Sequence, residues 1–144
     1  MSGEQPRECF ICRKQHGEEA APPGGYLYEG DHFRVCHAPV ALATPGTLLV
    51  ESRRHFLDFA EMTPEEATSY GPLLARLYTA IKRTTGAERV YTLVTLEGSD
   101  HFHTWLIPRT PDAESRGVRL LAQDQSCAPE EALSAAAAIR AALR

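Results

Sequence analysis

The alternation of apolar and polar positions changes period several times along the chain, and each change predicts an element. Tyr26-Leu27-Tyr28 and Phe33-Arg34-Val35-Cys36 flank the turn-forming pair Gly30-Asp31, which predicts a β-hairpin. Pro39 and Pro45 bracket a loop, after which Thr47-Leu48-Leu49-Val50 predicts a short buried strand. At Thr63-Pro64-Glu65-Glu66 the period lengthens: Thr63 suits a helix N-cap, Pro64 the first helical position and Glu66 the far end of a capping box. Ala67, Tyr70, Leu74, Leu77, Tyr78 and Ile81 then recur at three- and four-residue spacing, predicting one helix that lasts until Gly86 and kinks at Pro72. Arg89 to Leu96 and Phe102 to Ile107 are two more predicted strands, joined by a turn at Glu97-Gly98-Ser99-Asp100, and an Ala-rich helix is predicted from Pro129. Before Tyr26 there is no periodicity outside Cys9-Phe10-Ile11-Cys12, so that stretch is expected to be irregular, and Thr110 to Ala128 is expected to form a surface loop.

Two helices and about five strands, mostly in hairpins, predict an α+β fold with an antiparallel sheet. At 144 residues and 43% apolar composition the chain is expected to form a single domain, residues 1–144, around one core. No apolar run is long enough to span a bilayer, and Met1 to Arg7 is polar where a signal peptide would be apolar, so the expected address is cytoplasmic. A net charge of -4 without a basic cluster excludes bulk electrostatic binding to nucleic acid, and leaves a small anionic ligand as the partner to consider.

Candidate chemistry concentrates in His101-Phe102-His103-Thr104-Trp105-Leu106-Ile107-Pro108-Arg109. On a strand His101, His103 and Trp105 share one face, with Phe102, Thr104 and Leu106 on the other. Taken alone, a His-x-His of this kind reads first as a partly exposed strand face with two hydrogen-bonded imidazoles. Cys9-x-x-Cys12 is compatible with a metal site, a redox pair or two small buried side chains. Cys36 and Cys127 read as small buried or part-buried residues, His16 as solvated, and His32 and His37 as surface residues flanking a strand.

The whole pattern resembles the histidine triad family, whose signature is His-φ-His-φ-His-φ-φ with φ apolar, often followed by Pro-Arg. The resemblance runs from Cys9-Phe10-Ile11-Cys12 through Tyr28-Glu29-Gly30-Asp31-His32-Phe33 and the segment from Leu49-Val50 to His55, and ends at Pro108-Arg109. It implies a nucleotide hydrolase or nucleotidyl transferase, usually a homodimer, in which the middle histidine, His103, attacks phosphorus and forms a nucleotidyl-histidine intermediate. Trp105, Ser99 and Arg109 are the implied substrate-binding residues. In zinc-bearing members, and in the related galactose-1-phosphate uridylyltransferases, a structural zinc is held by positions that match Cys9, Cys12, His55 and His101.

Three positions depart from that pattern. The third triad position is Trp105, whose indole nitrogen donates but cannot accept a hydrogen bond. Gly98-Ser99-Asp100 shortens the Gly-Gln-Ser-type segment that approaches phosphate in relatives, and Val35-Cys36-His37-Ala38 lacks the carboxylate that reads ribose hydroxyls. These departures give the alternative reading, a zinc-stabilised nucleotide-binding or regulatory protein without turnover.

Overall fold

A computed structural model describes residues 8–144. The elements are helix α1 (Phe10–Gln15), strands β1 (Tyr26–Glu29), β2 (Phe33–His37) and β3 (Leu48–Ser52), helix α2 (Pro64–Thr85), strands β4 (Arg89–Leu93) and β5 (His103–Arg109), and helices α3 (Val118–Leu121) and α4 (Pro129–Ala142). The strands form one sheet in the order β1-β2-β3-β5-β4, and every neighbouring pair is antiparallel. This is the expected α+β architecture. No helix among the described residues is long and apolar enough to cross a membrane.

Local chemistry accounts for the long helix. The Thr63 hydroxyl accepts from the Glu66 N–H at 3.1 Å while the Glu66 carboxylate accepts from the Thr63 N–H at 2.8 Å, and Gly86 ends the helix in the left-handed region at φ 75°. Its buried face is centred on Leu73, Leu77, Ala80 and Ile81, rotated slightly from the predicted stripe: Ala67 is exposed, and Tyr70, Leu74 and Tyr78 flank the core. The rotation follows from Glu66, which is buried because Arg54 grips its carboxylate through two nitrogens at 3.0 and 2.8 Å. The helix runs uninterrupted through the exposed Pro72.

One face of the sheet, carrying Phe33, Val35, Leu48, Val50 and Leu106, packs with Leu27 and Phe102 against α2 and against Ala136 and Ile139 of α4. Burying a side chain of this size contributes roughly 1.5–3 kcal/mol, so this layer supplies most of the stability. On the opposite face Cys36, Leu49 and Trp105 form a small second cluster with Ala38 and Ala43.

Four sequence expectations are corrected. The stretch before Tyr26 contains α1, because Cys9 caps it and its residues Ile11 and Cys12 are buried against the domain. Strand β4 stops at Leu93, not Leu96: the backbone leaves the sheet, Leu96 adopts φ 59°, and Val94 and Leu96 turn into the main core. His37 is fully buried, since its Nδ1–H donates to the Ala38 carbonyl at 2.8 Å and its Nε2 accepts from the Gly46 N–H at 2.9 Å, bracing the loop between β2 and β3. Gly46 itself sits at φ 91° against Thr85, where a Cβ would collide. The segment expected as a surface loop contains the short α3 and is tied down by the Gly117 N–H to the Tyr91 hydroxyl at 2.7 Å.

Candidate metal centre and active site

Cys9 and Cys12 are three residues apart at the start of α1, so both sulfurs lie on one side of its first turn. The Cys9 sulfur also accepts from the Cys12 N–H at 3.3 Å. His55 follows β3 on a segment fixed from both sides: Arg53 donates to the Gly30 carbonyl at 2.6 Å, and the Ser52 hydroxyl donates to the Arg54 carbonyl at 2.7 Å. His101 precedes β5 and is anchored by its neighbour Phe102, whose N–H donates to Phe56 at 2.7 Å and whose carbonyl accepts from the Ser52 N–H at 3.2 Å.

These anchors converge. His101 Nε2–H donates to the Ser52 carbonyl at 2.7 Å, which fixes its tautomer and leaves the Nδ1 lone pair facing inward. That Nδ1 lies 3.4 Å from Cys9 Sγ, 3.4 Å from Cys12 Sγ and 3.2 Å from His55 Nδ1, and Cys12 Sγ lies 3.5 Å from His55 Nδ1. A tetrahedral zinc with bonds of about 2.1 Å to nitrogen and about 2.3 Å to sulfur sets its ligands roughly 3.3–3.8 Å apart. The four atoms all lie within 4.8 Å of one another, so the set fits one structural zinc ion.

The electrostatics agree. Burial pushes the Cys12 thiol up to about 12, reinforced by the hydrogen bond and charge of Cys9, and burial pushes the His101 imidazole down to about 4. His101 is therefore neutral at pH 7, the form that binds metal, while the Cys12 thiol needs a cation beside it to ionise.

The alternation predicted for β5 holds. Thr104 and Leu106 point to the helix layer, where Tyr70 and Thr104 share a hydrogen bond of 2.6 Å, and Trp105 lies on the other face across from Leu49. His101, however, lies outside the strand and turns into the metal cluster. His103 is left half-buried at the head of β5, and its Nδ1–H donates to the His101 carbonyl at 2.7 Å. Since a carbonyl only accepts, the proton is on Nδ1 and Nε2 carries a free lone pair.

The structure brings Cys9, Cys12, His55 and His101 together and sets His103 two residues beyond them. Trp105 shares the His103 face as part of the Cys36, Ala38, Ala43 and Leu49 cluster. Ser99 accepts from the His101 N–H at 3.4 Å and lies in a hollow with Glu8, Cys9, His55, Glu97 and Asp100, a wall to which His103 does not contribute. Arg109 is not brought to His103. It lies six residues along β5, about 20 Å away, with its buried guanidinium bound to Glu88 at 2.5 Å.

Two residues at this face carried no sequence reading. Glu51 is the cross-strand partner of His103 and is fully buried. Its carboxylate is ion paired with Lys14 and accepts from Tyr26 at 2.9 Å and Gln15 at 3.2 Å. Burial, then the charge of Glu51, raises the Tyr26 hydroxyl and pushes the Cys36 thiol up to about 12. The available signal was a carboxylate closing the apolar run Leu48-Leu49-Val50; Lys14 gave none.

No protein-family model matches the chain, and no curated protein matches it by sequence. Solved structures do. A Hit-like protein involved in cell-cycle regulation from Bartonella henselae superposes with a TM-score of 0.74 at 17% identity, covering 96% of this chain and 99% of that one. A zinc-bound histidine triad family protein from Mycobacterium smegmatis gives 0.74 at 19% identity, covering 94% and 93%. A hypothetical histidine triad nucleotide-binding protein from Sulfolobus tokodaii gives 0.73 at 18% identity, covering 94% and 91%. The chain therefore has the fold of the histidine triad proteins.

Proposed function

We propose that the protein is a nucleotide hydrolase or nucleotidyl transferase in which His103 is the nucleophile. The observation that carries this reading is the 2.7 Å hydrogen bond from His103 Nδ1–H to the His101 carbonyl, which leaves the Nε2 lone pair of this half-buried imidazole available to a substrate. Neutral imidazole is a competent nucleophile near pH 7 without a separate base. The Nε2 pair forms a bond to the α-phosphorus of a nucleotide as the bond to the leaving group breaks, and the leaving group departs with those electrons and takes a proton from solvent. Positive charge developing on the ring is stabilised by the same Nδ1–H···O=C bond. Water or another acceptor then attacks phosphorus, and His103 leaves as neutral imidazole. The likeness to the hypothetical histidine triad nucleotide-binding protein from Sulfolobus tokodaii supports the substrate class.

Cys9, Cys12, His55 and His101 would hold zinc in a structural role, and the zinc-bound neighbour from Mycobacterium smegmatis supports this. When bound, the ion ties α1 to the segment that carries His101, whose carbonyl in turn orients His103. Arg109 is left out of the proposed site, and Trp105 is retained as a surface for base or sugar.

The alternative is a nucleotide-binding protein without turnover, and Trp105 favours it. Its side chain is packed into an apolar cluster and supplies no dissociable proton for a leaving group. Turnover of a nucleoside phosphoramidate decides between them. The enzyme reading expects activity in the parent protein and a loss of at least about a hundredfold in His103→Ala at unchanged zinc content. Equal turnover in both removes His103 as nucleophile, and nucleotide binding without any turnover in the parent supports the binding protein.

A further inference from the structure

The metal cluster is closed on one side and open on the other. Cys12 and His101 are buried, whereas Cys9 and His55 are half-buried and form part of the wall of a hollow of about 410 Å³. The rest of that wall, among the described residues, is Glu8, Phe10 and the run Glu97-Gly98-Ser99-Asp100, none of them a lysine or arginine. Glu8, Glu97 and Asp100 are all exposed at its rim, and among the described residues none of their carboxylates is engaged in a hydrogen bond or ion pair.

We propose that this hollow is the loading vestibule of the metal centre, in which Glu8, Glu97 and Asp100 gather a hydrated divalent cation and deliver it to Cys9 and His55. Three unpaired carboxylates around one concavity raise the local concentration of a doubly charged ion, and the low-dielectric wall focuses their field. Carboxylate oxygens are weaker partners for zinc than thiolate and imidazole, so the ion is held at the rim only transiently. Cys9 and His55 meet it first because they alone of the four ligands reach the hollow. Glu97 and Asp100 lie on the same short segment as His101, which keeps the rim in register with the cluster.

The inference rests on the zinc-centre reading, and the two fail differently: protein purified without zinc contradicts the centre itself. The vestibule is tested on zinc-loaded protein by adding excess cadmium and following the rise of thiolate-to-cadmium absorbance. The expected result is an exchange rate that increases with cadmium concentration. In Glu97→Gln/Asp100→Asn its second-order constant should be lower by roughly three- to tenfold at low ionic strength, with zinc content still equal to the parent's. The gap should close at about 1 M salt, where the Debye length is about 3 Å. Glu97→Lys, which leaves the residue beside His101 untouched and changes the rim charge by the same two units, should be slowed to a similar extent. Equal constants in parent and variants, a gap unchanged by salt, or a rate independent of cadmium concentration would overturn the vestibule.

Discussion

The two faces of the sheet are built on different principles. The face toward α2 and α4 is an apolar layer of Phe33, Val35, Val50, Leu77, Phe102 and Leu106, held by surface burial and tolerant of small shifts. The face that carries His103 is held by directional contacts: a metal cluster, the Lys14–Glu51 pair with Tyr26 and Cys36, and a small apolar patch around Trp105. Directional contacts fix one geometry and fail abruptly when a member is lost. His103, the proposed nucleophile, sits on the face with that kind of support.

Mutations on either face should separate the two. Leu77→Ala, at the centre of the helix layer, should cost roughly 2–5 kcal/mol by denaturant unfolding while zinc content stays unchanged. Cys12→Ser should do the opposite: zinc falls to background in elemental analysis, and the remaining unfolding transition reports an intact apolar layer. If Leu77→Ala also loses zinc, the faces are not independent.

Glu51 sharpens the contrast. Glu51→Leu leaves Lys14 buried without its partner and should cost about 3–5 kcal/mol, whereas Glu51→Leu/Lys14→Met should recover most of that loss. Strictly additive costs would show that the pair does not act as a unit. On the helix side, Thr63→Ala removes half of the capping box and should cost only about 1 kcal/mol, with zinc content and turnover unchanged.

The smallest effect is a pH dependence at His37, which braces the loop leading into β3. Burial holds its pKa below the ordinary 6.5, opposed in part by the hydrogen bond to Ala38. The native state therefore binds fewer protons than the unfolded state below about pH 6.5. Its contribution is full above that value and is lost as pH falls, when the Nε2 that accepts from Gly46 becomes protonated. His37→Leu should flatten the fall in stability between pH 7 and pH 5 by a fraction of a kcal/mol, an approximate bound set by the partial shift. An unchanged slope would show that His37 does not titrate in that window.

The same contrast decided what could be read from the chain. Helix α2 was legible because its capping box and its Gly86 stop are contacts between near neighbours. The hairpin of β1 and β2 was legible for the same reason. On the other face, the spacing of Cys9 and Cys12 was compatible with a metal site, but the full ligand set was visible only through resemblance to a family, since residues 9 and 101 are 92 positions apart. Lys14 and Glu51, 37 positions apart, gave no local signal of pairing. Helix α1 is too short to show a period and is helical because its buried side is anchored. The end of β4 was misplaced because Val94 and Leu96 continue an apolar pattern while the backbone turns them into the core. Arg109 followed Pro108 as the family pattern has it, yet strand length alone carries it about 20 Å from His103.

The central claim is that Nε2 of His103 makes a covalent bond to phosphorus. It is tested most directly by mixing zinc-loaded protein with a nucleoside phosphoramidate, quenching within milliseconds above neutral pH, and mapping the modified residue by mass spectrometry. The account predicts a nucleotidyl adduct on His103 that is lost on acidification and is absent in His103→Ala. Turnover with no adduct on His103, or an adduct on another residue, would contradict it.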